Sequence, residues 1–116
     1  MSEMIYHITT CTAWTAGQKS GEYRADSLEQ VGFIHCSKVG QILRVANNAY
    51  AGQSGLVILM IDPSKLVAEI RWEPGTDKPD ELFPHIYGPL NHEAIVGVVN
   101  FELGPTGEFS LPVGLT

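Results

Sequence analysis

The segment Leu56–Ile61 constrains the fold of this chain more than any other feature. Its six residues are all apolar, and turn residues flank it, Gly55 before it and Asp62 and Pro63 after it. A short run that is apolar on both faces is typical of a strand in the middle of a sheet, covered from both sides. The chain must therefore supply strands beside this segment and further layers above and below it.

Capping residues predict two short helices in the first half of the chain. Thr9 or Thr10 can cap the first one. Ser27 and Gln30 fit a capping box that opens the second, and Gly32 would end it.

A third, longer helix is predicted after Ser37, which is a natural N-cap. Apolar residues recur on one face at helical spacing, namely Val39, Ile42, Leu43, Ala46 and Tyr50.

Further strands are predicted at residues 4–8, 33–36, 66–73 and 94–103, with a short tail strand around Phe109. Gly97 inside its strand indicates a bulge or a close backbone approach. The polar, proline-bounded residues 74–84 are predicted to form a mobile flap. Most late strands are joined by short turns, which favours antiparallel pairing and an α+β fold.

Length and charge limit the classes of function. A chain of 116 residues predicts one domain, residues 1–116, and we expect a monomer. The formal net charge of −6 disfavours a broad nucleic-acid surface, although a local basic cleft could bind one phosphate. The sequence has no apolar run that could span a bilayer, no secretory signal and only two cysteines, so we expect a cytoplasmic protein that does not bind membranes.

Three of the four histidines stand inside or beside apolar strand segments, namely His7, His35 and His85. A buried neutral imidazole needs partners for its N–H group and its lone pair. Each of them alone could be a structural histidine with satisfied hydrogen bonds. Three in one small chain predict a shared polar pocket.

Two reactive roles can be weighed for these residues. The three histidines with Cys36 could form a zinc ligand set, but no closely spaced ligand pair exists, and adjacent strand residues such as His35 and Cys36 point to opposite faces. We therefore expect no metal. Cys36 is either a nucleophile beside a helix N-terminus or a buried structural cysteine. The helix start at Ser37 would also suit a phosphate.

Glu93 precedes the last long strand, where a carboxylate could reach a sugar hydroxyl in a cleft. The alternative is an exposed glutamate in a turn. Tyr23 and Tyr87 lie close to glycines, at Gly21 and Gly88, so each could contact a ligand or belong to the core.

Several blocks of the sequence resemble one known family over nearly the whole chain. They are residues 6–9, residues 32–37 (GFIHCS), Ala46 and Asn47 with Tyr50, and residues 83–90 (FPHIYGPL). These blocks resemble the bacterial domain-of-unknown-function family 952, which has no established activity.

That family is in turn similar to the ADP-ribosyltransferase fold of the poly-ADP-ribose polymerases. His7 on an early strand, residues 32–37, the helix that carries Asn47 and Tyr50, and Glu93 before a late strand follow the same order. The resemblance implies an α+β fold with a mostly antiparallel split sheet and two or three short helices from the first half of the chain.

The resemblance also implies roles in binding and reaction of NAD. Glu93 would stabilise an oxocarbenium-like transition state, and His35 would line the groove as a second catalytic residue. The ligand-binding residues would be His7 on a ribose, Tyr50 or Tyr87 on the nicotinamide ring, and Ser37 and His85 along the groove.

The chain departs from the polymerases in two places. Ile8 follows His7 where they have glycine, and Ile34 and His35 replace their stacking tyrosine. Glycosyl-type transfer from NAD or a related nucleotide is the expected activity. The alternatives are a non-catalytic domain that binds a nucleotide or other small ligand, and a metal-dependent hydrolase that uses the clustered histidines.

Overall fold

The apolar segment Leu56–Ile61 forms the central strand of a three-stranded antiparallel sheet, as the sequence predicts. The computed structural model describes residues 3–75, 78–112 and 115. Along these ranges the elements are β1 (Ile5–Thr10), α1 (Cys11–Lys19), β2 (Glu22–Tyr23), α2 (Asp26–Val31), β3 (Ile34–His35), α3 (Val39–Ala49), β4 (Leu56–Ile61), β5 (Glu69–Pro74), β6 (Leu82–Tyr87), β7 (Leu90–Asn91) and β8 (Ile95–Phe101), with short 3-10 helices at Pro63–Lys65 and His92–Ala94.

The strands form three sheets in the described part of the chain. The central sheet has the order β1-β4-β8, a second one pairs β2 with β7, and the third has the order β3-β6-β5. Every pairing between these strands is antiparallel. The α+β class with mostly antiparallel strands and three helices from the first half is therefore confirmed. The eight described strands exceed the five or six expected from the sequence, because the two-residue strands β2 and β7 were not predicted.

The central sheet is buried on both faces, which explains why β4 is apolar throughout. One face packs against α3 and the tail, and its buried cluster includes Tyr6, Ile8, Ile42, Ala46, Ile58 and Phe101. The other face packs against the two smaller sheets, and its buried cluster includes Ile5, Ile34, Leu59, Ile86 and Leu90. Each fully buried aliphatic side chain in these clusters contributes about 1.5–3 kcal/mol to stability.

Gly97 lies at the irregularity in the pairing of β4 with β8. Met60 pairs with Gly97 while Ile61 pairs with Ile95, so Val96 is the extra residue of a bulge. A Cβ atom on Gly97 would lie 2.9 Å from the sulfur of Met60. The predicted bulge with close approach is confirmed.

The helix starts and ends predicted from capping residues are partly confirmed. Thr10 is the N-cap of α1, and its Oγ1 accepts a hydrogen bond from the Ala13 N–H at 3.0 Å. Gly32 ends α2 with a φ of 90°, as predicted. The Ser27 capping box is wrong, because α2 begins at Asp26 with Ala25 as its N-cap, which places Ser27 inside the first turn.

Among the described helices, none is long and apolar enough to cross a membrane.

Ser37 is also not the predicted N-cap, because its backbone is engaged elsewhere. Its N–H donates to the carbonyl of Tyr6 and its carbonyl accepts from the Tyr6 N–H, both at 2.8 Å. This bridge joins the chain after β3 to β1 of the central sheet. The helix therefore begins later, with Lys38 as N-cap and the Lys38 N–H donating to Oε1 of Gln41 at 2.9 Å.

Three predicted segments differ from the observed ones. The strand expected from residue 66 starts at Glu69, because the Asn91 side chain binds the Val67 N–H and the Lys65 carbonyl instead. No strand forms around Phe109, which stacks on Phe101 at 4.6 Å between ring centroids. The predicted flap at residues 74–84 is mostly a hairpin, since the β5–β6 register extends to the pair of residues 74 and 82; residues 76 and 77 lie outside the described residues.

Candidate functional site

A cavity of about 270 Å³ lies between α3 and the β3-β6-β5 sheet. Strand alternation positions it: Ile34 and Ile86 point into the core, so His35 and His85 point to the opposite face. The polar side chains that line the cavity are His35, Ser37, Arg44, Asn48, Lys78 and His85.

His35 and His85 are direct cross-strand partners on β3 and β6. Their ring centroids are 5.5 Å apart in an edge-to-face arrangement. Partial burial, together with the neighbouring His85, lowers the pKa of His35. The His35 imidazole is therefore neutral at pH 7, and it can donate one hydrogen bond and accept another.

Phe33 fixes the two imidazoles from one side. Its ring stacks on His85 with 4.0 Å between centroids and 14° between planes. The same ring lies edge-on to His35 at 4.9 Å. Such aromatic contacts restrict the rotamers of both histidines, so the two rings face the cavity in a defined orientation.

Glu73 on β5 binds the far side of His85. Its Oε1 accepts hydrogen bonds from Nδ1 of His85 at 2.9 Å and from the Tyr87 hydroxyl at 2.5 Å. The hydrogen bond from Tyr87 and the one from His85 lower the pKa of Glu73, which is ionised at neutral pH. The bond to Glu73 raises the pKa of Tyr87, and the Arg71 guanidinium lies 4.3 Å from the centre of the Tyr87 ring.

Arg44 and Lys78 supply positive charge to the cavity. Arg44 donates to Oε2 of Glu81 at 2.6 Å, and Nε2 of Gln41 donates to the same atom at 2.7 Å. These two hydrogen bonds, from Arg44 first, lower the pKa of Glu81. Glu81 thus anchors the β5–β6 hairpin to α3 and holds Arg44 at the cavity.

His7 does not reach the cavity, because it is buried beneath it. Its Nδ1 lies 2.6 Å from the carbonyl oxygen of His35, and its Nε2 lies 2.9 Å from the Tyr23 hydroxyl. The carbonyl can only accept, so Nδ1 carries the proton and Tyr23 donates to Nε2. Since the Tyr23 hydroxyl hydrogen is used in that bond, the Thr9 hydroxyl donates to the Tyr23 oxygen, with Oγ1 of Thr9 2.7 Å away.

Burial fixes the charge state of this network. Desolvation lowers the pKa of His7 to about 4 and raises the pKa of Tyr23 to about 12. Both groups are neutral across the physiological range. The network supports the main chain of His35 and so positions the cavity wall without touching a ligand.

The remaining predicted residues divide between the cavity and other surfaces. Ser37 and Tyr50 line the cavity with His35 and His85. Tyr87 contributes through Glu73. Glu93 is exposed, accepts a 3.3 Å hydrogen bond from Asn91 and is not among the described residues that line the cavity.

Two further groups have structural contacts. Burial raises the pKa of the Cys36 thiol well above its ordinary value, which disfavours the nucleophilic thiolate. His92 lies with Nε2 3.0 Å from the Gly17 carbonyl and its ring against Trp14. Within the described ranges, no three His, Cys, Asp or Glu side chains converge on a point that could hold a metal ion.

Sequence reasoning missed Glu73, Phe33, Arg44 and Lys78. Arg71 and Glu73 fall within the predicted strand at residues 66–73, but their partners across the sheet depend on register. Arg71 pairs with His85 only because the hairpin closes at residues 74 and 82. The side-chain contact between Glu73 and His85 follows from that register. No local sequence pattern indicates it.

Comparison with solved structures gives matches over at least 90% of this chain. The crystal structure of protein CC0527 from Caulobacter crescentus superposes with a TM-score of 0.82 and 28% identity, covering 93% of this chain and 94% of that one. The solution NMR structure of CC0527 gives a TM-score of 0.78 at 27% identity, with 90% of each chain covered.

No curated protein matches the sequence. The family model described as a protein of unknown function, DUF952, matches residues 8–98. That span includes β3, α3 and β6, each of which supplies residues that line the cavity. The chain therefore belongs to the DUF952 family.

Proposed function

We propose that this domain binds a nucleotide or a related phosphorylated small molecule in the cavity between α3 and β6, on a fold of the ADP-ribosyltransferase type. The observation that carries the proposal is the meeting of two cationic side chains and two imidazoles around one hollow. These are Arg44, Lys78, His35 and His85. Arg44, Lys78 and His35 can each donate a hydrogen bond to a phosphate oxygen, and the two cations do so with charge assistance.

The charge distribution favours a small anion over a polyanion. The chain carries a formal net charge of −6, so its surface as a whole repels nucleic acids. Arg44 and Lys78 bring two positive charges to the cavity lining, and each has one acidic partner, Glu81 and Asp80 respectively. A ligand with one or two phosphates would contact these two cations, whereas a polyanion would also meet the negative surface outside the cavity.

The rest of the lining suits the organic part of such a ligand. Val45, Ala49 and Phe83 provide an apolar wall, and the half-buried ring of Tyr50 stands at the end of α3. Ligand pockets typically combine apolar walls with a few polar groups that fix orientation. A planar base against Tyr50 or Phe83 with its phosphate at Arg44 fits that description.

The order of elements supports the ADP-ribosyltransferase type of fold. His7 lies on β1, the β3 segment leads into α3, the apolar β4 follows, and Glu93 precedes β8. The sheet is also divided, with β1-β4-β8 beside β3-β6-β5. Both features agree with the resemblance noted in the sequence.

Glycosyl-type transfer from NAD is the reaction that such a fold suggests. Arg44 and Lys78 would suit the pyrophosphate of NAD. An oxocarbenium-like transition state calls for a carboxylate, and the described residues that line the cavity include none. The lining thus fits the phosphate part of NAD but not its reacting bond, so we derive no step of that reaction, and binding without turnover is the simpler form of the proposal.

Calorimetric titration with AMP, ADP, ADP-ribose and NAD tests the proposal. At least one of them should bind, and Arg44→Gln and Lys78→Gln should each weaken it by about tenfold, because each removes one charge-assisted contact. Arg24→Gln is the matched control, since Arg24 is an exposed arginine paired with Glu22 on β2 and does not line the cavity. Absence of binding at millimolar concentration, or equal weakening by the control, would contradict the proposal.

A further inference from the structure

The contact between Glu73 and His85 fixes which nitrogen of the imidazole carries the proton. Oε1 of Glu73 lies 2.9 Å from Nδ1 of His85. An ionised carboxylate only accepts hydrogen bonds, so Nδ1 must be the donor. In the neutral imidazole the lone pair is then on Nε2.

The Nε2 atom of His85 has no hydrogen-bond partner among the described residues and can bind a ligand in the cavity. Within the described part of the chain, no hydrogen bond to this atom exists, whereas Nδ1 is bound to Glu73. No buried side-chain nitrogen or oxygen among the described residues lacks a partner, so Nε2 is open to solvent. His85 is among the residues that line the cavity, so its unbound Nε2 is the ring nitrogen available to a ligand there.

We infer that Glu73 and His85 form an acid–base dyad in which His85 Nε2 accepts a proton from a hydroxyl group, either of a bound phosphorylated ligand or of a water beside it. In this step the O–H bond breaks, an N–H bond forms at Nε2, and the electron pair stays on oxygen. The positive charge that develops on the imidazole is stabilised by the Glu73 carboxylate. The inference rests on the proposed function for the identity of the ligand but not for the state of the dyad.

The surroundings hold the dyad in place. The Tyr87 hydroxyl donates the second hydrogen bond to Oε1 of Glu73, and the Phe33 ring stacks on the imidazole. These contacts orient both members before a ligand arrives. Glu73 is therefore a positioning residue, and His85 is the group that would touch the reacting hydroxyl.

The other titratable and charged groups around His85 do not compete for Nδ1. His35 faces it from β3 edge-to-face, with its pKa lowered by burial and by His85. Arg71 pairs with His85 in register, but its guanidinium is bound to Glu69 and lies over the Tyr87 ring. The carboxylate of Glu73 is thus the partner that sets the tautomer.

Nitrogen-15 NMR of the histidine side chains tests this directly, with the His85 signals assigned from a His85→Asn variant. The wild-type protein at neutral pH should show His85 protonated at Nδ1 and unprotonated at Nε2. Glu73→Ala should abolish this preference, and Glu69→Ala should preserve it, because Glu69 binds Arg71 and not His85. A wild-type His85 protonated at Nε2, or an unchanged tautomer in Glu73→Ala, would overturn the inference.

Addition of ADP separates the dyad from the proposed function. If ADP binds by calorimetry, the Nε2 signal of His85 should shift more than its Nδ1 signal. Bound ADP with no change at Nε2 would contradict the role of this nitrogen. If ADP, AMP, ADP-ribose and NAD all fail to bind, the proposed function fails, while the wild-type tautomer still decides whether the dyad exists.

Discussion

The Nδ1 atom of His7 lies 2.6 Å from the main-chain carbonyl oxygen of His35. This contact ties the central sheet to the strand that carries one wall of the cavity, across 28 residues of sequence. It also requires a neutral His7, because Nε2 accepts from Tyr23. The stability of the protein and the position of the cavity wall therefore depend on the same imidazole.

His7 should make stability rise with pH between about 4 and 6.5. Its pKa is about 4 in the folded protein and 6.5 as a model value, so the unfolded chain binds more protons in this window. The contribution is complete above 6.5 and is lost as the pH falls towards 4, amounting to about 3 kcal/mol over the window. Urea titrations of the wild type from pH 4 to pH 7 check this.

The control for that prediction is the variant His7→Gln, which lacks the titrating group. Its unfolding free energy should change less with pH than that of the wild type. His35, whose pKa is lowered as well, contributes with the same sign in both proteins. Identical pH dependence of the two proteins would show that His7 is not the source.

Gly17→Ala should destabilise the protein although it lies in a helix. Alanine normally stabilises a helix by about 1 kcal/mol relative to glycine. Here the added Cβ would lie 2.8 Å from Cδ1 of Tyr23, a rigid buried ring in the His7 network. We expect a net loss of about 1–3 kcal/mol, measured by urea unfolding.

Gly40→Ala on α3 is the matched comparison, because nothing lies within 4 Å of the added Cβ. This variant should stabilise the protein by about 0.5–1 kcal/mol. If both variants change stability in the same direction, the close packing of Gly17 against Tyr23 is not the deciding factor.

The two cysteines should differ sharply in reactivity. Cys11 is exposed, whereas Cys36 is buried and burial raises the pKa of its thiol. A thiol reagent such as 5,5′-dithiobis(2-nitrobenzoate) should modify one cysteine per folded chain and two in denaturant. Cys11→Ser should remove the fast reaction, and rapid modification of that variant would disprove the burial of Cys36.

Glu93→Gln separates a catalytic role from a structural one. The side chain is exposed and accepts a weak hydrogen bond from Asn91, so the melting temperature should stay nearly unchanged. Because Glu93 does not line the cavity, any release of nicotinamide from NAD should also stay unchanged. Loss of that release would place Glu93 in the reaction, and a large fall in melting temperature would make it structural.

Glu81→Gln should strengthen the binding of anionic ligands. Glu81 neutralises Arg44 through the 2.6 Å contact, so its replacement leaves that guanidinium available to a phosphate. We expect the Kd of ADP to fall by several-fold, measured by calorimetry. Glu22→Gln is the control, since Glu22 pairs with Arg24, which does not line the cavity; an equal effect there would point to net charge alone.

The sequence predicted the features that depend on local chemistry. The uniform apolarity of β4 predicted its central position in the sheet. Thr10 and Gly32 predicted a helix start and a helix end, and Gly97 predicted the bulge. In each case a few neighbouring residues contain the whole physical reason.

The features it did not predict depend on contacts between distant segments. Ser37 has the chemistry of an N-cap, but a backbone bridge to Tyr6 outweighs it. His7 was predicted to share a pocket with His35 and His85, but the fold separates it from them by one layer. Ile34 and Ile86 face the core, so the adjacent His35 and His85 point to the other face of their sheet, away from His7. Glu73 reached His85 only through the register of the hairpin.

The backbone bridge between Tyr6 and Ser37 has a consequence for how this domain can change. Its two hydrogen bonds involve main-chain atoms alone, so neither side chain is needed to keep the histidine-bearing strand fastened to the middle of the molecule. Side chains that line the cavity can then be replaced by others without moving the backbone of β3. Such a scaffold can alter which small molecule it accepts while its framework stays in place.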